Sequence, residues 1–123
     1  MKEIQFDARG DRLRICIEIG DAHIGSYRLR LWEPSSNTVV LDRSGNNQNP
    51  DDDCYELPLP TMNNNGRLVQ LECSILSPDP KPTDKYSLAL TVKQGRKILD
   101  KITEAGTMGG KRVSLELWAT LIK

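Results

Sequence analysis

In RLRICIEIG, residues 12–20, Leu13, Ile15, Ile17 and Ile19 fall on one side of the chain, and Arg12, Arg14, Cys16 and Glu18 on the other. Successive side chains of an extended strand point to opposite faces, so this period of two marks a half-buried strand and excludes an amphipathic helix. The same pattern returns along the chain. YRLRLW sets Tyr27, Leu29 and Leu31 together, and LVQLECSIL sets Val69, Leu71, Cys73 and Ile75 together. YSLALTV aligns Tyr86, Leu88, Leu90 and Val92, and RVSLELWATLI aligns Val113, Leu115, Leu117, Ala119 and Leu121. Shorter runs, EIQFDA, NTVVL, YELPL and KILDKI, complete the set, with Pro58 inside YELPL pointing to an edge or a bulge.

Between these runs lie turn formers: RGD, EPSSN, RSGNNQNPDDD, TMNNNG, SPDPKPTD, QG and AGTMGG. Strands at this spacing, without alternating helices, predict an all-β fold. The expected architecture is an antiparallel β-sandwich of about eight or nine strands in a single domain over residues 1–123, with a β-barrel as the alternative. Aromatic residues are only 5% of the chain, so the core has to be aliphatic and thin.

Cys16, Trp32 and Cys73 loosely follow the cysteine–tryptophan–cysteine order of an immunoglobulin domain. The alternation places Cys16 on the opposite face from the aliphatic set, and Leu71 stands where the characteristic tyrosine belongs, so that match is rejected. Three cysteines and a start, MKEIQFDARG, without an apolar signal region predict reduced thiols and a cytoplasmic setting. No apolar run approaches the roughly 18 residues needed to cross a bilayer, so membrane insertion is not expected.

If every connection reverses the chain, residues 20–25, 43–54, 77–85 and 104–111 gather at one end, and these include the longest loops. Asp51, Asp52 and Asp53, assisted by Asp21, Asp79 and Asp84, form the candidate metal set there. Calcium takes six to eight oxygens, commonly from carboxylates and carbonyls. Lys81 and Lys85 oppose a cation at that end, and a run of charges is ordinarily a solvated loop. Calcium or carbohydrate binding around Asp51–Asp53 is therefore the alternative function, and no cofactor is the principal expectation.

His23 is the only histidine. With Cys54 and a loop aspartate it offers the one combination of nucleophile and base, and no sequence signature accompanies it, so the chain is read as non-enzymatic. The faces opposite the aliphatic stripes are more informative. Arg14, Arg28, Arg30, Trp32 and Trp118 all fall out of phase with the core, and Arg and Trp are enriched at protein interfaces. Pairing of RLRICIEI with YRLRLW through the 20–25 turn would set Arg14 beside Arg30 or Trp32. Seventeen basic and seventeen acidic residues cancel, so the chain lacks the excess positive charge that would make nucleic acid its expected partner. The principal expectation is a binding or assembly module that contacts a protein, a second copy included, through this Arg/Trp face or an exposed edge strand.

Overall fold

The structure, a computed structural model, describes residues 1–20, 24–47, 53–77, 81 and 84–123. Among the described residues nine strands follow one another: β1 (Lys2–Gln5), β2 (Leu13–Gly20), β3 (Ile24–Trp32), β4 (Val39–Asn46), β5 (Asp53–Glu56), β6 (Leu68–Leu76), β7 (Lys85–Gln94), β8 (Lys97–Thr107) and β9 (Arg112–Ile122). A 3-10 turn, Thr61–Asn64, precedes β6. The strands form two sheets, one ordered β1-β9-β6-β3-β4 and the other β5-β2-β7-β8. All ladders are antiparallel except β1 with β9. The two sheets pack face to face without closing into one another, so the fold is a sandwich and the barrel alternative falls.

The aliphatic stripes become the interior. Leu13, Ile15, Leu29, Leu31, Val69, Leu71, Ile75, Leu88, Leu90, Val92 and Leu121 are all at most 1% exposed and belong to one cluster. Burying a side chain of this kind stabilises by about 1.5–3 kcal/mol, which is why the alternation could dictate the faces. Two tyrosines span glycines on edge strands: Tyr27 stands opposite Gly45 on β4, and Tyr86 opposite Gly106 on β8. A Cβ at Gly106 would lie 2.6 Å from the Tyr86 hydroxyl, so the ring occupies the space a side chain there would need. Tyr27 also bridges the sheets. Its ring meets that of Tyr55 edge-on at 6.3 Å, and the two hydroxyls are hydrogen-bonded. Burial, then the Tyr55 hydroxyl and Asp53, push the Tyr27 phenol far above the ordinary tyrosine range.

The thiol expectation is corrected. Cys16 and Cys54 stand directly across the β2–β5 ladder with Cα atoms 4.1 Å apart and are joined in a disulfide. Pairing depends on which strands become neighbours, and neither the odd count nor the alternation carries that information. Only Cys73 is free; it is buried in the core, and burial pushes its thiol up to about 11.

A second correction concerns the partner of β2. Pairing with β3 through the 20–25 turn, the arrangement that would set Arg14 beside Arg30 or Trp32, does not occur: β2 and β3 belong to different sheets, and β2 pairs with β5 and β7 instead. KILDKI extends into β8, eleven residues long. Despite the crossovers the loops sort as expected. Gly20 pairs Ser87 and Lys85 pairs Thr107, while Ile24 pairs Leu76 and Leu76 pairs Arg112. The connections after β2, β4, β6 and β8 therefore leave from one end.

Candidate functional site

The outer face of the five-stranded sheet carries a connected polar arrangement. Cross-strand register sets its side chains in rows over β4, β3, β6 and β9. Asn46, Ser26, Ser74 and Ser114 form one row; Ser44, Arg28, Glu72 and Glu116 the next; Asp42, Arg30, Gln70 and Trp118 the third; and Val39, Trp32, Leu68 and Thr120 the fourth. Within it, Ser26, Arg28, Glu72, Ser74, Ser114 and Glu116 floor a shallow depression of about 590 Å³.

Side-chain bonds fix this surface. Arg28 makes a forked contact with Asp42, Nε to Oδ1 at 3.0 Å and Nη2 to Oδ2 at 2.7 Å. That hydrogen bond holds the Asp42 carboxyl below its usual range and raises the guanidinium. Arg30 is paired with Glu72, and its Cζ lies 5.5 Å from the Trp32 ring centroid, within cation–π range. The Trp32 indole donates to Gln70 Oε1 at 2.9 Å, and Gln70 Nε2 donates to Glu72 at 3.2 Å, which closes a circuit of Arg30, Glu72, Gln70 and Trp32. Arg30 Nε is enclosed without a hydrogen-bond partner among the described residues. The Trp118 indole donates to Glu116.

Of the five residues expected at a partner surface, the structure brings Arg28, Arg30, Trp32 and Trp118 together on this face. Arg14 is not with them. It lies on the outer face of the other sheet, between Glu56 and Lys93, because β2 and β3 belong to different sheets. Gln70 and Glu72, which tie the cluster together, were not singled out in advance. Their signal was the out-of-phase set of LVQLECSIL, which joins Gln70 and Glu72 to the strand that separates Trp32 from Trp118.

The acidic loop set is only partly in view. Asp21, Asp51, Asp52 and Asp79 lie outside the described residues, as does His23. Asp53 opens β5 beside Tyr27, and Asp84 accepts the Lys81 backbone N–H at 2.8 Å. Among the described residues no three His, Cys, Asp or Glu side chains are grouped to hold a metal. Cys54 is committed to its disulfide, so the pairing of a Cys54 thiolate with His23 falls. Also among the described residues, no helix is long and apolar enough to cross a membrane.

Comparison of the chain with protein-family models, with curated proteins and with solved structures finds no match.

Proposed function

We propose that the chain is a non-enzymatic binding module that contacts a protein partner through the outer face of its five-stranded sheet. The observation that carries this reading is the circuit of Arg30, Glu72, Gln70 and Trp32. It holds an arginine and a tryptophan, the residues that most often anchor interfaces, in fixed positions before any partner arrives. Size supports it as well. Four neighbouring strands about 4.8 Å apart, with β6 nine residues long at about 3.3 Å per residue, make a platform of roughly 20 by 30 Å. That is roughly 600 Å², about three-quarters of the 800 Å² or so that one partner contributes to a standard interface.

Charge favours protein over nucleic acid. Arg28 and Arg30 are both committed to carboxylates, and Glu116 adds a negative charge with no ion pair among the described residues. A phosphate backbone needs uncompensated cations. The Cys16–Cys54 bond is of a kind that persists in oxidising compartments, which favours such a setting over the cytoplasmic one expected from the thiols.

The test is photo-crosslinking in the source cells, with the reactive residue placed at Ser26 or Ser74 and, as a control, at Thr91 on the opposite sheet. A partner adduct from the first two positions that disappears in Arg28→Glu/Arg30→Glu supports the assignment. Equal labelling from Thr91, or adducts indifferent to the double reversal, would refute it.

A further inference from the structure

β5 is fastened unequally along its length. Just past its last residue the chain is anchored. Leu57 is fully buried, its N–H donates to Leu13 O at 2.9 Å, and its carbonyl accepts from Arg12 Nε at 2.7 Å. Arg12 also pairs with Glu56 at 3.0 Å, and the buried Asn64 donates to Pro58 O at 3.1 Å. Towards the start of β5, the side-chain fastenings among the described residues are the Cys16–Cys54 bond and the contact of Tyr55 and Asp53 with the Tyr27 hydroxyl.

The register shows what the disulfide holds shut. Leu57 and Leu13 are a hydrogen-bonded pair, so Ile15 with Tyr55 and Ile17 with Asp53 also turn their N–H and C=O groups towards each other. Cys16 and Cys54 meet between them, at the non-hydrogen-bonded position where side chains stand closest. Both cysteines point to the outer face and are only half-buried. No strand lies beyond β5 among the described residues, so a thiolate can reach Cys54 from the open side. This flank is the one away from β1, which meets β8 through Lys2 and Asp100 at 3.2 Å. Without the disulfide, a four-residue edge ladder on its own is marginal.

We propose that the Cys16–Cys54 bond is a clasp that a dithiol reductant opens, releasing residues 53–55 to swing about Glu56 and Leu57 and baring the edge of β2 at Ile15 and Ile17. One thiolate of the reductant attacks the Cys54 sulfur, the disulfide breaks, and Cys16 leaves as a thiolate that takes up a proton. The reductant's second thiol resolves the mixed disulfide and frees Cys54. The reductant ends as a disulfide, and two electrons and two protons have passed to the two cysteines. The Arg12 and Leu57 anchor keeps Cys54 near Cys16, so the clasp recloses once the reductant is gone. In an oxidising compartment the closed form is the resting one. The inference stands apart from the protein-partner reading, whose face belongs to the other sheet.

The experiment treats the folded full chain with dithiothreitol and follows amide exchange residue by residue. The bond should be reduced without denaturant. Exchange at Ile15, Ile17 and Tyr55 should then quicken at least about tenfold, while Leu57 at the anchor and Cys16 and Glu18, whose N–H groups face β7, keep their protection. Cys16→Ser/Cys54→Ser without reductant should show the same three fast amides, which separates release of β5 from any other action of dithiothreitol. Removing the reductant should restore the original pattern, and Arg12→Ala, which cuts the anchor, should slow that return at least about threefold. A bond reduced only in denaturant overturns the proposal, and so does unchanged exchange at Ile15 and Tyr55 in the reduced chain. Protection lost throughout β2, β3 and β6 overturns it too, because the bond would then hold up the whole domain and not one flap.

Discussion

Breaking the Cys16–Cys54 bond should cost the domain about 4 kcal/mol. The two residues are separated by 38 positions, and β5, only four residues long, has β2 as its one ladder partner among the described residues. Closing a loop of that length removes about 13 cal/mol/K of chain entropy from the unfolded state, or about 4 kcal/mol at 25 °C. With an unfolding entropy near 2.1 cal/mol/K per residue, a 123-residue chain should melt about 15 °C lower once the bond is gone. The assay is guanidinium unfolding of the oxidised protein, the reduced protein and Cys16→Ser/Cys54→Ser, with alkylation of the non-reduced denatured chain to count thiols. One labelled thiol, Cys73, and a fall of 3–5 kcal/mol in both modified forms are expected. Three labelled thiols would dismiss the bond itself. One thiol with a loss under about 1 kcal/mol would refute the loop-entropy argument and mean that the unfolded chain already keeps these segments together.

Alkaline titration should erode stability in two stages. Cys73 is raised in the folded state, to about 11, so its contribution is complete below the ordinary thiol range and lost as pH climbs from about 9 to 11. Tyr27 is raised further, so its contribution fades above about pH 10. Cys73→Ala should flatten the first stage and Tyr27→Phe the second in urea melts across that range; unchanged slopes would count against both assignments. Gly106→Val should lose about 1–3 kcal/mol by driving a side chain against the Tyr86 hydroxyl, and a neutral melt would show that the ring swings away. Arg67 is nearly buried and bonds Glu33 through Nε at 2.8 Å and Asn64 Oδ1 at 3.0 Å. Glu33→Ala leaves that cation without its counter-charge, so about 1–3 kcal/mol should go in a denaturant melt, and a change within 0.5 kcal/mol would rule the pair out as a stabilising element.

Inner faces were readable from sequence because they depend only on local alternation and the gain from burial. Leu13 and Ile15, Leu29 and Leu31, and Val69 and Leu71 all went where their phase sent them. Neighbour relations were not readable. Nothing within RLRICIEI or YRLRLW records that the short connection between them changes sheets, so Arg14 was grouped with Arg30 and Trp32 although a whole sandwich separates them. The disulfide was missed for the same reason: Cys16 and Cys54 meet only because β5 lies along β2. At the candidate face the tryptophans were legible by being out of phase, while the Gln70 and Glu72 links depend on β6 lying between β3 and β9.

The position of β9 also bears on how the domain is made. It comes after the other described strands in chain order, yet it lies inside the five-stranded sheet, between β1 and β6. While the chain emerges from a ribosome, β6 keeps an open edge and Lys2–Gln5 has no ladder until residues 112–122 arrive. Folding of this sheet therefore waits for the synthesis of β9, and the interval before it is when a chaperone is most needed.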